Sequence, residues 1–166
     1  MQAAALGRRL ALTGGKVVVG ISGGLDSTLA LLVACKAADR YSLPRKNIMG
    51  ITLPCFGTSD RTHDNAWTLM KALKITAREI NISDAVRQHL KDIGHDESDH
   101  SVAYENAQAR ERTQVLMDVA NDVVGRKQAV EVAQLDDGAN LFVEGNGFLG
   151  IFALLFIEVA GLHLHA

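Results

Sequence analysis

Lys16-Val17-Val18-Val19-Gly20-Ile21 runs directly into Ser22-Gly23-Gly24-Leu25-Asp26-Ser27, and the reading of this stretch decides the fold. A continuous β-branched run suits a strand covered on both faces, as in a parallel sheet. Two glycines then turn the chain, and from Asp26 onward Leu29, Leu32, Val33 and Lys36 follow helical spacing with no Gly or Pro until Pro44. In an open α/β sheet, ligands settle in the crevice beyond the carboxyl ends of the strands. There, glycines let the backbone approach an anion and expose successive N–H groups. Ser22 and Ser27 add hydroxyl donors, and the helix directs its positive end at the same point. Asp26 repels a phosphate unless it holds Mg²⁺ bridging the phosphate oxygens. The competing reading is a plain glycine turn in which Asp26 caps the helix. Neither GxGxxG nor a Gly-Lys-Ser/Thr phosphate loop is present.

Outward from this stretch, strands and helices alternate. Met1 to Leu12 carries Arg8 and Arg9 inside an apolar run, which makes an amphipathic helix and not a secretory signal. Ile48 to Leu53 is a second strand. Ser59 or Asp60 caps a helix carrying Ala66, Leu69, Met70 and Leu73. Thr76 to Ile82 alternates as a third strand, and Ser83 caps a short helix to about Asp92. The pattern predicts βαβ units in an α/β, doubly wound parallel sheet. The polar stretch Gly94 to Ser101 holds His95, Asp96, Asp99 and His100 but reads as a solvated loop. His63, His89, His163 and His165 show no metal-ligand spacing. A helix from about Ala103 to Val123 buries Leu116, Val119, Ala120 and Val123, and sets Asn106, Arg110 and Thr113 on another face.

The length of 166 residues fits one domain. With 48% hydrophobic residues and a net charge of −2, the chain is neither disordered nor a dedicated nucleic-acid binder. Cys35 and Cys55 are too few and too isolated for a disulfide scaffold or a zinc site, and read as reduced, semi-buried thiols of a cytoplasmic protein. Gly145 to Ile157 is uncharged, but a spanning helix needs about 20 apolar residues and Glu158 interrupts, so no membrane segment is expected.

The Ser-Gly-Gly-x-Asp-Ser pattern at Ser22 to Ser27 resembles the signature of the ATP pyrophosphatases, which cleave ATP between its α and β phosphates. That signature is shared by NAD, GMP and asparagine synthetases and by tRNA-modifying ligases. Four segments choose among them: GISGGLDSTLALLVA (Gly20 to Ala34), CFGTSDRT (Cys55 to Thr62), DIGHD (Asp92 to Asp96) and YENAQARERTQ (Tyr104 to Gln114). In this order they resemble the synthetase domain of bacterial glutamine-dependent NAD synthetases, over roughly Gln2 to Asn121.

The resemblance implies an adenine-nucleotide α-hydrolase-like, Rossmann-like sheet, incomplete at its C-terminal side. It also implies a ligase that activates the nicotinate carboxylate of deamido-NAD with ATP and amidates it with ammonia. Under it, Gly20, Ile21, Ser22, Gly23, Gly24, Leu25, Asp26 and Ser27 hold the ATP phosphates, Asp26 holds Mg²⁺, and Asn106 and Arg110 contact deamido-NAD. No catalytic side chain is assigned. The loop after Leu53 borders the adenine. A homo-oligomer is implied, together with a glutaminase domain or subunit as the ammonia source, which this sequence does not show. The alternatives are another ATP pyrophosphatase ligase, or a nucleotide-binding fragment without turnover.

The chain divides into a core, residues 1–125, and an atypical tail, residues 126–166, as a truncated or shifted reading frame near Asn121 would produce. After Asn121 the family continues with a strand and a Gly-Thr-Gly-Asp-Leu-Ser-Glu motif that supplies an ATP-contacting Thr and a magnesium-binding Glu. Here the sequence runs DVVGRKQAVEVAQLDDG instead. No second metal ligand is therefore placed. The first strand is expected to lack its family neighbour, or to accept one from Ala129 to Leu135 or from Leu141 to Phe156.

Overall fold

The computed structural model describes residues 1–12, 15–124, 131–136 and 140–144. In chain order the elements are α1 (Gln2–Leu12), β1 (Val17–Gly20), α2 (Leu25–Arg40), β2 (Ile48–Thr52), α3 (Asp60–Ala72), β3 (Thr76–Glu79), α4 (Ser83–Asp92), α5 (Val102–Val124), β4 (Glu131–Asp136) and β5 (Asn140–Glu144), with a 3-10 turn at Arg45–Asn47. The strands form one sheet in the order β3-β2-β1-β4-β5.

Strand β1 sits at the centre because its side chains alternate between two apolar layers. Val17, Val19 and Ile21 pack with Leu31, Ala34, Cys35 and Met70 from α2 and α3. Val18 packs on the other side with Ile51, Val86, Leu90, Leu116 and Ala120, which brings in α4 and α5. Helices thus cover both faces, as the doubly wound reading requires. Leu31, Ile51, Met70 and Leu116 are 0% exposed, and each such burial is worth roughly 1.5–3 kcal/mol. Gly50 of β2 lets α3 close on the sheet, since a Cβ there would press on the Met70 sulfur and on Ile75.

β1 pairs in parallel with β2 (Val17 opposite Ile48) and with β4 (Val17 opposite Glu131). β2 pairs in parallel with β3 (Met49 opposite Thr76). The expected neighbour from Ala129 to Leu135 is therefore the one that β1 takes. β5 runs antiparallel to β4, with Val132 opposite Glu144. The parallel expectation fails there because only three residues join the two strands, too few for a crossover.

Chain order reverses direction across the sheet between β1 and β4, which places a topological switch point beside the Gly20–Ser27 loop. Lys16, just ahead of β1, donates its Nζ to the Val123 carbonyl at 3.2 Å. The end of α5 thus lies at the amino ends of the strands, and its start lies on the loop's side of the sheet.

The structure selects the buried face of α2, which the helical spacing of Leu29, Leu32, Val33 and Lys36 left open, and corrects two local expectations. Leu29 and Leu32 are 54% and 46% exposed, and α2 buries Leu31, Ala34, Cys35, Ala37 and Ala38 instead. The helix is apolar nearly all round, so spacing alone does not choose its face, and the small alanines admit α1. Ser83 is the first residue of α4 and not its cap; its N–H is received by Asn81 Oδ1 at 2.9 Å. Strand β3 ends at Glu79, although Ile80 and Ile82 still donate to Thr52 and Pro54 carbonyls. The apolar run Phe148 to Ile157, most of the proposed tail, and His163 and His165 lie outside the described residues.

Candidate functional site

The Gly20–Ser27 loop is braced from within. Gly23 has φ +85°, a left-handed conformation open to glycine at little strain. Ser27 is buried, and its hydroxyl lies 3.1 Å from Ser22 Oγ and donates to the Gly24 carbonyl at 3.1 Å. Thr28 Oγ1 donates to the same carbonyl at 2.8 Å, and the Gly24 N–H donates to Ser22 Oγ at 3.3 Å. Ser27 thus shapes the loop, and of the two hydroxyls only Ser22 is exposed.

Gly24 occupies the capping position of α2 and offers no side chain. Asp26 lies inside the first turn, exposed, so the reading in which it caps the helix does not hold. The Thr28 N–H reaches Gly24 O at 3.1 Å, which leaves the N–H groups of Leu25, Asp26 and Ser27 ahead of any intrahelical acceptor. The amides of Leu25 and Asp26, the positive end of the helix dipole and the Asp26 carboxylate thus belong to an exposed helix start, with Ser27 buried behind them. Among the described residues no group of three or more His, Cys, Asp or Glu is placed to hold a metal. A single carboxylate fits Mg²⁺ that is shared with phosphates and waters, the usual mode for that ion.

Helix α3 buttresses the loop. A Cβ on Gly23 would collide with the Thr62 carbonyl, so the turn and the start of α3 lie in backbone contact. Ser59 caps α3 by accepting the Thr62 N–H at 3.3 Å, and Thr62 Oγ1 donates to the Ser59 carbonyl at 2.9 Å. In the loop after β2, Phe56 stacks on Tyr104 with centroids 5.6 Å apart, and Tyr104 stacks on His100 at 4.6 Å. The Arg87 guanidinium lies 4.9 Å from the Phe56 ring. This ladder pins the start of α5 to the loop expected to border the adenine.

Asn106 and Arg110 stand one turn apart on α5 and are exposed. With Ala109, Thr113, Gln114, Met117 and Asp118 they line an open groove of about 490 Å³. Tyr104, Ala107, Gln108, Leu116 and Ala120 face the core instead. No direct contact between Asn106 or Arg110 and the Gly20–Ser27 loop is found among the described residues; they share only the same end of the sheet.

Sequence reasoning missed two features. One is the buttress at Thr62. The other is a cluster in which His63 Nε2 lies 2.6 Å from Glu79 Oε2, while Trp67 Nε1 donates to the same oxygen at 2.9 Å. No local pattern joins residues on separate elements, so neither left a signal in spacing. Cys35 and Cys55 are free and buried, not half-buried, and burial pushes the Cys35 thiol above its usual value. His95 keeps to the polar loop, its Nε2 lying 2.8 Å from Ser101 Oγ. Among the described residues no helix is long and apolar enough to cross a membrane.

Comparison with known proteins adds three findings. The sequence profile of the family described as NAD synthase matches residues 7–133. The glutamine-dependent NAD(+) synthetase of Mycobacterium leprae is 48% identical over 126 residues, 73% of this chain but 18% of that protein. This chain therefore spans about a fifth of the length of that curated relative. In fold, it is similar to the glutamine-dependent NAD+ synthetase of Acinetobacter baumannii solved with ADP (TM-score 0.66, 24% identity, 78% of this chain and 23% of that one). It is likewise similar to the NH3-dependent NAD synthetase of Campylobacter jejuni (TM-score 0.62, 21% identity, 78% and 52%).

Proposed function

The chain belongs to the NAD synthase family, and from that premise we propose that its residues form the ATP- and dinucleotide-binding core of an enzyme that amidates deamido-NAD to NAD. A nicotinate carboxylate oxygen attacks the α-phosphorus of ATP and pyrophosphate leaves. Ammonia then attacks the acyl carbon, AMP departs with the bonding electrons, and ammonia's nitrogen gives up a proton. Joining two anions is the main obstacle, so fixed donors matter more than acid–base side chains.

The observation that carries this reading is the free first turn of α2. No side chain caps it, Leu25 and Asp26 are exposed there, and the turn follows β1, the strand at the switch point of the sheet. In this role Gly23 lets the backbone reach the phosphates, and the amides of Leu25, Asp26 and Ser27 receive the negative charge. Magnesium held at Asp26 would screen the phosphate oxygens. Asn106 and Arg110 would grip deamido-NAD, the guanidinium by paired bonds to a phosphate or carboxylate. The two buried thiols suit a reducing, cytoplasmic setting.

The test is calorimetric titration of the purified chain with Mg·ATP and with deamido-NAD, followed by an assay with both ligands and ammonia. Both ligands are expected to bind and little NAD to form, because among the described residues no second metal-binding carboxylate is assigned beside Asp26. Failure of Mg·ATP to bind sinks the reading. Robust NAD formation would show that residues beyond Asn121 supply the missing ligand.

A further inference from the structure

Beyond the loop and the groove, the cluster of His63, Trp67 and Glu79 joins α3 to the end of the edge strand β3. Glu79 Oε2 takes two donors there, His63 Nε2 at 2.6 Å and Trp67 Nε1 at 2.9 Å. Among the described residues, the other charged group within ion-pairing range of His63 is Asp64, whose Oδ1 lies 3.6 Å from Nδ1. The residue before His63 is Thr62, whose carbonyl abuts Gly23. Helix α3 is anchored in the core through Ala66 and Met70, both 0% exposed. In its first turn Asp60 and Arg61 are exposed and Thr62 and His63 half-buried, so that turn lacks a core anchor of its own; the Ser59 cap and the bond to Glu79 hold it.

We infer that Glu79, acting through His63 and Trp67, is a positioning residue for the phosphate loop: it holds the first turn of α3 so that Thr62 keeps Gly23 in its left-handed turn. The consequence for ATP rests on the function proposed above; the mechanical coupling does not. The bond to Glu79 raises the proton affinity of His63 above its ordinary value, and the donors hold the Glu79 carboxyl below its own. The charged pair is therefore complete between those two values. Its contribution is lost as pH rises through the raised His63 value, and lost again as pH falls through the depressed Glu79 value. Above the His63 transition the Trp67 bond persists, so the clasp loosens and does not open.

The test is amide hydrogen exchange of Ser22 to Leu25 in the free chain, with Val17 to Val19 as internal reference. Glu79→Gln should accelerate exchange of the loop amides by about two- to fivefold, the range expected for a half-exposed ion pair. Wild type should show the same loss of protection as pH rises through the raised His63 value, after correction for intrinsic exchange, while His63→Gln should be flat across that rise. Unchanged loop exchange in Glu79→Gln, or a wild-type pH profile retained in His63→Gln, overturns the inference. Equal acceleration at Val17 to Val19 also overturns it, because Glu79 would then serve general stability. Mg·ATP added to wild type tests the proposed function separately: absence of protection at Ser22 to Leu25 removes the ATP reading and leaves the coupling to stand or fall by the exchange rates.

Discussion

The Gly20–Ser27 loop and the α5 groove lie at the same end of the sheet but are built from different material. The loop offers backbone: its turn is set by Gly23, braced by Ser27 and Thr28, and backed by the Thr62 carbonyl. The groove offers exposed side chains, Asn106 and Arg110, on one face of a helix whose other face is core. A backbone site is fixed before any ligand arrives, whereas a side-chain site must order long rotamers on binding. Substitutions should therefore act on geometry in the loop and on single bonds in the groove.

The strongest way to break this contrast is Gly23→Ala. The added Cβ meets the Thr62 carbonyl in a φ +85° turn, so Mg·ATP affinity should fall by at least about tenfold, in line with 1–3 kcal/mol of local strain. Calorimetry showing wild-type affinity would mean that the loop adapts and is not preformed. Asp26→Ala comes next. It should weaken Mg·ATP by about tenfold with little change in thermal midpoint, since Asp26 is exposed. Removing Mg²⁺ with a chelator should bring the variant and wild type together; a persistent gap would take Asp26 out of the metal site.

For the groove, Arg110→Ala should lower deamido-NAD affinity by about tenfold while leaving ATP nearly untouched. If both ligands weaken together, the loop and the groove are not separable. Ser22→Ala should have the smallest effect, a few-fold at most, because its hydroxyl holds the Gly24 N–H at a long 3.3 Å.

The same contrast governs how much was legible in the sequence. Strand β1 and the turn after it were readable because three valines and two glycines leave few conformational choices. The six-residue loop pattern and the segment from Tyr104 to Gln114 pointed to the family because motifs are local. What escaped depends on packing between distant elements. The buried face of α2 was not legible because leucines and alanines line most of the helix. The inward turn of Ser27 and the approach of Thr62 to Gly23 are decided by tertiary contact. Strand β4 was anticipated as a substitute neighbour for β1, yet its polar sequence gave no strand signal of its own.

The place of β1 in the sheet also sets a timetable for the nascent chain. Val17 gains one neighbour at Ile48 and its other at Glu131. As synthesis proceeds from the N-terminal side, α1, α2 and β2 can gather on β1 early, but the opposite flank of the valine strand waits until Glu131–Asp136 has emerged. During that interval an apolar strand carries a row of unpaired backbone groups, the kind of edge that recruits other chains. The contact order of this single pairing makes it a slow closing step. Aggregation during synthesis should therefore track how quickly residues 131–136 emerge, more than how well the early elements pack.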